Sequence, residues 1–406
     1  MVAVDIYLLV TQYYVRISMK LSSLILPLSL LLSSLDSYFR ERGVLSLLLL
    51  LLLLIVNRNA ILNKRYIPIV CTCTLIFVVY TTLAFSMPSV YLEISVDKAN
   101  FLLKIFDRLS VLALIFIASI AYCRDNLIKS VILVANVHVV FFIAQFFFYY
   151  ALRVPVDYLS FFSNELTQRN WMGFGGDNVF RASGLYFEPS NYAAYMSCYI
   201  AILILLKYDI RGYKYLYPVS MMLTLSSAGF IMGAISFLAI ILAKDSYVSN
   251  LKKIYLFILF IIAVTILAIP QMSRFSGTGV QDNANSNLRI MLIASIIESA
   301  SSSTLKAITG TGIYSYSQSI YDKENSIAGR EIASVQDASM VVYFFMCFGL
   351  FGLIFISWVF FTASGLGAKL AMFSVLLSKL SFLFPIFPFL LVALILSKTS
   401  DSDQSV

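Results

Sequence analysis

"RASGLYFEPSNYAAYMSCYIAILILL", residues 181–206, passes from charge to an uninterrupted apolar run within one short stretch. Arg181 and Glu188 stand at its mouth, Pro189 follows directly, and no further charge occurs until Lys207. Proline is favoured in the first turn of a helix, so 189–206 reads as a helix with Glu188 at its N-cap. An apolar run of this length, without charge, reads as a membrane span.

The rest of the chain agrees. Its 406 residues are 60% hydrophobic and only 12% charged, with a mean hydropathy of +0.88, outside the range of a soluble domain. Apolar windows predict spans near 18–35, 43–56, 66–86, 106–122, 130–152, 189–206, 215–228, 229–243, 254–270, 338–361, 368–380 and 382–397. The runs are helix-length and leucine-rich, without the alternation of a membrane barrel, so each must satisfy its own backbone as α-helix. The expected fold is therefore all-α: one polytopic membrane domain, 1–406, with about ten to twelve helices. Pro385 and Pro388 interrupt the last run, and Ser226, Ser227 and Gly229 divide the pair before the second long loop.

Lysine and arginine set the orientation. With the N-terminus in the cytoplasm, Arg124, Lys207, Lys214, Lys244 and Lys369 all fall inside, in the short loops where the positive-inside bias operates. The net charge of +8 is then explained by topology and anionic lipid, and no basic run suits nucleic acid. The first apolar stretch lacks a cleavage pattern and reads as an uncleaved anchor. All five cysteines lie in apolar runs, so neither disulfide nor metal site is expected. His138, the lone histidine, lies mid-span; a packed, hydrogen-bonded histidine is the ordinary reading and a proton relay the alternative.

Two long segments remain on the far side, 153–188 and 271–337, rich in Ser, Asn, Gly, Tyr and charge. Loops this long are uncommon unless functional. In the second, Leu288 to Ala300 is too short to span and reads as a surface-lying helix carrying Arg289. At Glu188 the carboxylate would meet unpaired amides and the positive end of a helix dipole, which favours the ionised form that a general base requires. A plain cap is the competing role, although glutamate is not a preferred capping residue. Arg181 is near enough to reach the same pocket, with Gly184 between them to let the backbone approach a ligand. Asn191 lies in the first turn beyond. A guanidinium forks onto phosphate, which makes Arg181, Arg289 and, less strongly, Arg274 candidates for a phosphate group. Asp337 opens the next span, as a cap or a second carboxylate. Trp171, Phe174, Tyr186, Phe187 and Tyr314 would offer flat apolar faces to a sugar chain, or anchor at the membrane interface. Two arginines and two carboxylates on one membrane face suit attack by a hydroxyl on an activated anionic lipid carrier.

Three stretches resemble the O-antigen polymerase (Wzy-type) family, within the O-antigen polymerase and ligase superfamily. "RASGLYFEPSNYAAY" resembles the family's first periplasmic-loop signature. "LRIMLIASIIESASSSTLKAITGTGIYSY" is similar to its second-loop pattern, an Arg opening a helix and a turn at Gly310 and Gly312. "QDASMVVYFFMCFGLFGLI" resembles its closing pattern, a polar position before a helix with glycines at 349 and 352. "LTLSSAGFIMGAISF" is a weaker echo of a Ser-rich span. The likeness covers roughly residues 150–365. It implies a glycosyltransferase C-like enzyme of the bacterial inner membrane, with its active site facing the periplasm. Undecaprenyl-pyrophosphate-linked glycans would be substrates, with no cofactor and no metal, and a chain-length regulator and a flippase would be partners. Arg181 and Arg289, with Gly184, Asn191, Tyr314 and Arg274, would bind substrate, and Glu188 or Asp337 would transfer the proton. Ligase-type members commonly carry a histidine where this chain has Asp337, which argues for polymerase over ligase. A flippase would favour internal repeats and midplane charge, neither of which the sequence displays.

Overall fold

The computed structural model describes residues 24–35, 48–49, 124–161, 168, 170–174, 177–243, 293–310, 338–382 and 384–402. Of these residues, 75% are helical. In chain order the elements are α1 (Leu24–Ser34), α2 (Arg124–Leu152), β1 (Trp171–Phe174), β2 (Asp177–Phe180), α3 (Pro189–Leu205), a 3-10 turn at Gly212–Tyr215, α4 (Leu216–Met222) and α5 (Ser227–Ile241). After these come α6 (293–301), α7 (Thr304–Thr309), α8 (Met340–Thr362), α9 (Leu366–Leu377) and α10 (Ile386–Ser402). The predicted spans 66–86, 106–122 and 254–270, and nearly all of 43–56, lie outside the described residues.

Among the described residues, two helices, α2 and α8, are long and apolar enough to cross a membrane by length and composition. Both also display large apolar side chains outward, among them Val140 and Phe147 on α2 and Phe351 and Trp358 on α8. The centre of the bundle is α3, which packs on α2, α4, α5, α9 and α10. Every residue from Tyr192 to Leu205 is buried, as expected of a helix that is apolar on all sides. Its contacts are partly polar: the Ser374 hydroxyl of α9 lies 3.0 Å from that of Ser197 on α3 and 3.1 Å from that of Ser236 on α5. Small hydroxyl residues allow helices to approach closely and hydrogen-bond where lipid offers no partner.

Several predicted boundaries need correction. The described part of α2 is helical from Arg124, six positions before the expected 130, and its polar first described turn is tied into the bundle: the guanidinium donates through Nε, at 2.8 Å, and through Nη2 to the carbonyl of Leu206. The span expected at 215–228 ends at Met222; the chain turns over Leu223–Ser226, and Ser226 caps α5 by accepting from Gly229 N at 2.9 Å. α5 then runs back along α4. A Cβ on Gly229 would lie 2.8 Å from Met221 O, and one on Gly233 2.8 Å from Pro218 O, so backbone touches backbone and only glycine fits. α8 starts at 340 rather than 338, with Ser339 as its cap, and it is broken at Gly349 (φ 57, ψ −140). Gly310, at the end of α7, meets that break: its Cβ would fall 2.4 Å from Phe348 N, and a Cβ on Gly349 would fall 2.6 Å from Gly310 N. The two glycines, from motifs far apart in sequence, therefore fit against each other.

The first long loop also departs from an all-α chain. β1 and β2 form an antiparallel hairpin with Trp171 opposite Phe180 and Phe174 opposite Asp177. It is fastened to the end of α2: Phe180 stacks on Tyr149 at 4.4 Å, Trp171 meets both rings edge-on, and the Tyr150 hydroxyl donates to Phe180 O at 2.7 Å.

Candidate functional site

The segment 181–188 runs from the hairpin to the start of α3, and two glutamines determine its path. Gln145 of α2, fully buried, accepts the amides of both Ser183 and Gly184 at 2.8 Å through Oε1. Its Nε2 donates to Val156 O and to Gln168 Oε1, each at 2.7 Å. Gln168 in turn donates to Gly184 O at 2.7 Å and Tyr186 O at 2.9 Å. Its Oε1 also accepts from Tyr158 N and Asn170 Nδ2, and Asn170 Oδ1 accepts from the Ser183 hydroxyl. A fully satisfied buried network of this kind specifies one conformation. Neither glutamine stood out in the sequence, since an isolated Gln in an apolar run and another in a loop carry no pattern; the signal available was a polar residue within a predicted span.

Gly184 has φ +58, and its missing Cβ faces Phe142 N at 3.3 Å and His138 O at 3.4 Å. The close approach expected toward a ligand is therefore an approach to the backbone of α2. Tyr186 is corrected likewise: it is 1% exposed, stacked on Tyr195 at 4.9 Å with His138 tilted against it at 4.8 Å, and offers no face to a sugar. Burial first, and then the neighbouring Tyr199 and Tyr195, push its phenol well above the ordinary range. His138 is the packed histidine of the ordinary reading, its Nε2 2.8 Å from the Ser34 hydroxyl and 3.1 Å from that of Tyr186. Trp171 is half exposed and keeps a free face.

Glu188 occupies the N-cap position of α3 (φ −135, ψ 151), and its side chain makes no capping hydrogen bond. Its carbonyl accepts Asn191 N at 3.0 Å and Tyr192 N at 3.2 Å. The carboxylate turns elsewhere: Oε2 accepts from the Ser190 hydroxyl at 3.1 Å and pairs with Lys379, just past the end of α9. Both side chains are largely buried, 22% exposed for Glu188 and 13% for Lys379. The preceding residue, Ser378, accepts Met340 N through its carbonyl at 2.8 Å. The start of α3, the end of α9 and the first amide of α8 thus meet at one corner. Arg181 is half buried on the path leading into it, and Asn191 is half buried one turn along α3.

Arg274, Arg289, Tyr314 and Asp337 lie outside the described residues. The capping role considered for Asp337 is filled by Ser339, which accepts Val342 N at 3.2 Å. Lys379 was missed because it reads as the polar end of a predicted span, and nothing local links it to a glutamate 191 positions away. The opposite end of α3 is basic, with Arg124 bound to Leu206 O and the Lys214 amine donating to the Tyr208 hydroxyl at 2.8 Å.

Among the described residues, fold and site together define a largely helical protein with two helices of membrane-crossing length and a semi-buried carboxylate–ammonium pair at one end of α3. No family model, no curated protein and no solved structure matches the chain.

Proposed function

We propose that this protein is a multispanning glycosyltransferase of the bacterial inner membrane that polymerises undecaprenyl-pyrophosphate-linked oligosaccharide repeat units at the periplasmic face. The observation that carries the reading is the corner at which Glu188 of the first loop signature, Lys379, and the start of α8 converge. It lies at the opposite end of α3 from the Arg124 cluster, which the positive-inside bias assigns to the cytoplasm. Ionisable groups held at a membrane interface are functional candidates by default. The N-terminus is cytoplasmic in this reading, and the chain crosses the membrane about ten to twelve times.

In the reaction, a hydroxyl of the incoming lipid-linked unit attacks the anomeric carbon of the growing chain. The bond from that carbon to the pyrophosphate oxygen breaks, and its electron pair leaves with undecaprenyl pyrophosphate. Glu188 takes the hydroxyl proton, a step worth roughly 10²–10⁴ in rate for a well-placed base. Arg181, with Arg289 from the second loop, neutralises the departing charge. A flippase supplies the units and a chain-length regulator limits the product.

A lipopolysaccharide gel tests this directly. Deletion of the gene is expected to leave a single repeat unit on the lipid core, and R181A and E188A at wild-type abundance are expected to abolish the ladder. Long undecaprenyl-linked chains in the deletion strain would instead identify a ligase, and an unchanged ladder would refute the assignment.

A further inference from the structure

We infer that Lys379 is a positioning residue of this site: it holds Glu188 as an aimed carboxylate and keeps it off the amides of its own helix. The inference rests on the assignment of Glu188 as the base. At a helix start the local partners for a carboxylate are the first amides of that helix, yet Glu188 makes no such bond and turns to Lys379 and Ser190. The pair is largely, though not fully, shielded from water. Such pairs are weak contributors to stability, and an apolar pair of equal volume serves as well or better, whereas removing one partner leaves a costly lone charge. Packing does not explain the pair; a need for an ionised carboxylate at an apolar corner does. Lys379 suits the task because it follows the end of α9, where a helix dipole favours a cation.

Among the described residues, the elements packed around the corner bring little further charge. Among the described residues packed on α3, α4 and α5 carry no Asp, Glu, Lys or Arg, Lys369 is at the far end of α9, and Lys398 and Asp401 are at the far end of α10. The charged residues of α2 are Arg124, Asp125 and Lys129, at its opposite end, and the first turns of α8 contribute only Tyr343. Arg181 is the charged residue of the loop leading into α3. When Glu188 accepts the hydroxyl proton it becomes neutral, so the site takes up one proton from the acceptor.

The test uses full-length protein in native membranes and a hydrophobic carbodiimide, which modifies protonated carboxyl groups; peptide mass spectrometry reads the adduct on Glu188 at neutral pH. Wild type and K379R are expected to show background labelling, and K379M to show about tenfold more, the change for a shift of one logarithmic step in acidity. K379Q, which keeps side-chain length and polarity but no charge, is expected to follow K379M and serves where K379M does not accumulate. The ladder is expected to survive in K379R and collapse in K379M and K379Q. Equal labelling of wild type, K379M and K379Q, or a normal ladder in the uncharged variants, would overturn the inference. A deletion strain with a normal ladder, alongside the expected labelling, would refute the polymerase assignment and leave the role of Lys379 in ionising Glu188 standing.

Discussion

Replacing Gln145 with Leu gives the sharpest test of how the loop signature is held. The two side chains are close in size, so the perturbation is chemical rather than steric. Gln145 Oε1 is the acceptor for the amides of Ser183 and Gly184, both buried. Leucine leaves those two donors without it, at about 1–3 kcal/mol each, or roughly 2–6 kcal/mol together. The loss of the Nε2 donor adds less: Gln168 Oε1 still accepts from Tyr158 N and Asn170 Nδ2 after losing Gln145. The chain has two tryptophans; Trp171 sits in the hairpin and Trp358 on α8. Thermal unfolding in detergent, followed by their fluorescence, is expected to show Q145L melting well below wild type. The Trp171 environment should change first, because the hairpin leads straight into the released segment. F147L, on the exposed face of the same helix, is the control and is expected to melt like wild type. If Q145L differed from F147L by less than about 1 kcal/mol, the lower bound for a single orphaned donor, the glutamine network would not be what positions residues 181–188.

Other perturbations follow from the same contacts. G349A places a Cβ 2.6 Å from Gly310 N at φ +57 and is expected to cost about 1–3 kcal/mol for the backbone conformation before any clash, read as a lowered melting temperature. S374A removes the hydroxyl shared by Ser197 and Ser236 and is expected to cost only about 0.6–1.7 kcal/mol, the range for hydrogen bonds between membrane helices. In a background stripped of native cysteines, Tyr158→Cys is expected to react with an impermeant thiol reagent in intact cells and Arg211→Cys only after the membrane is permeabilised; the same accessibility for both would refute the topology.

The helices and the charged mouth of α3 are visible in the sequence alone, because hydropathy and a Glu-Pro start are local properties. Pro189 opens α3 where expected, and the apolar runs became α2, α5, α8, α9 and α10 with shifts of a few residues at most ends. Those shifts arise from partners that hydropathy does not see, such as the Ser339 hydroxyl that caps α8. Glycines were recognisable as motifs, but whether each meets a ligand or another backbone was not, and Gly184, Gly310 and Gly349 all meet backbone.

What only the tertiary structure decided is which polar groups find each other. Gln145 and Gln168 are 23 positions apart, Ser197 and Ser374 are 177 apart, and Glu188 and Lys379 are 191 apart; no periodicity encodes these pairings. A buried polar group must have a partner, and the chain's fold determines whose it is. For Glu188 that choice turned a residue at a capping position into one whose carboxylate faces an ammonium just beyond another helix, because α9 ends where α3 begins.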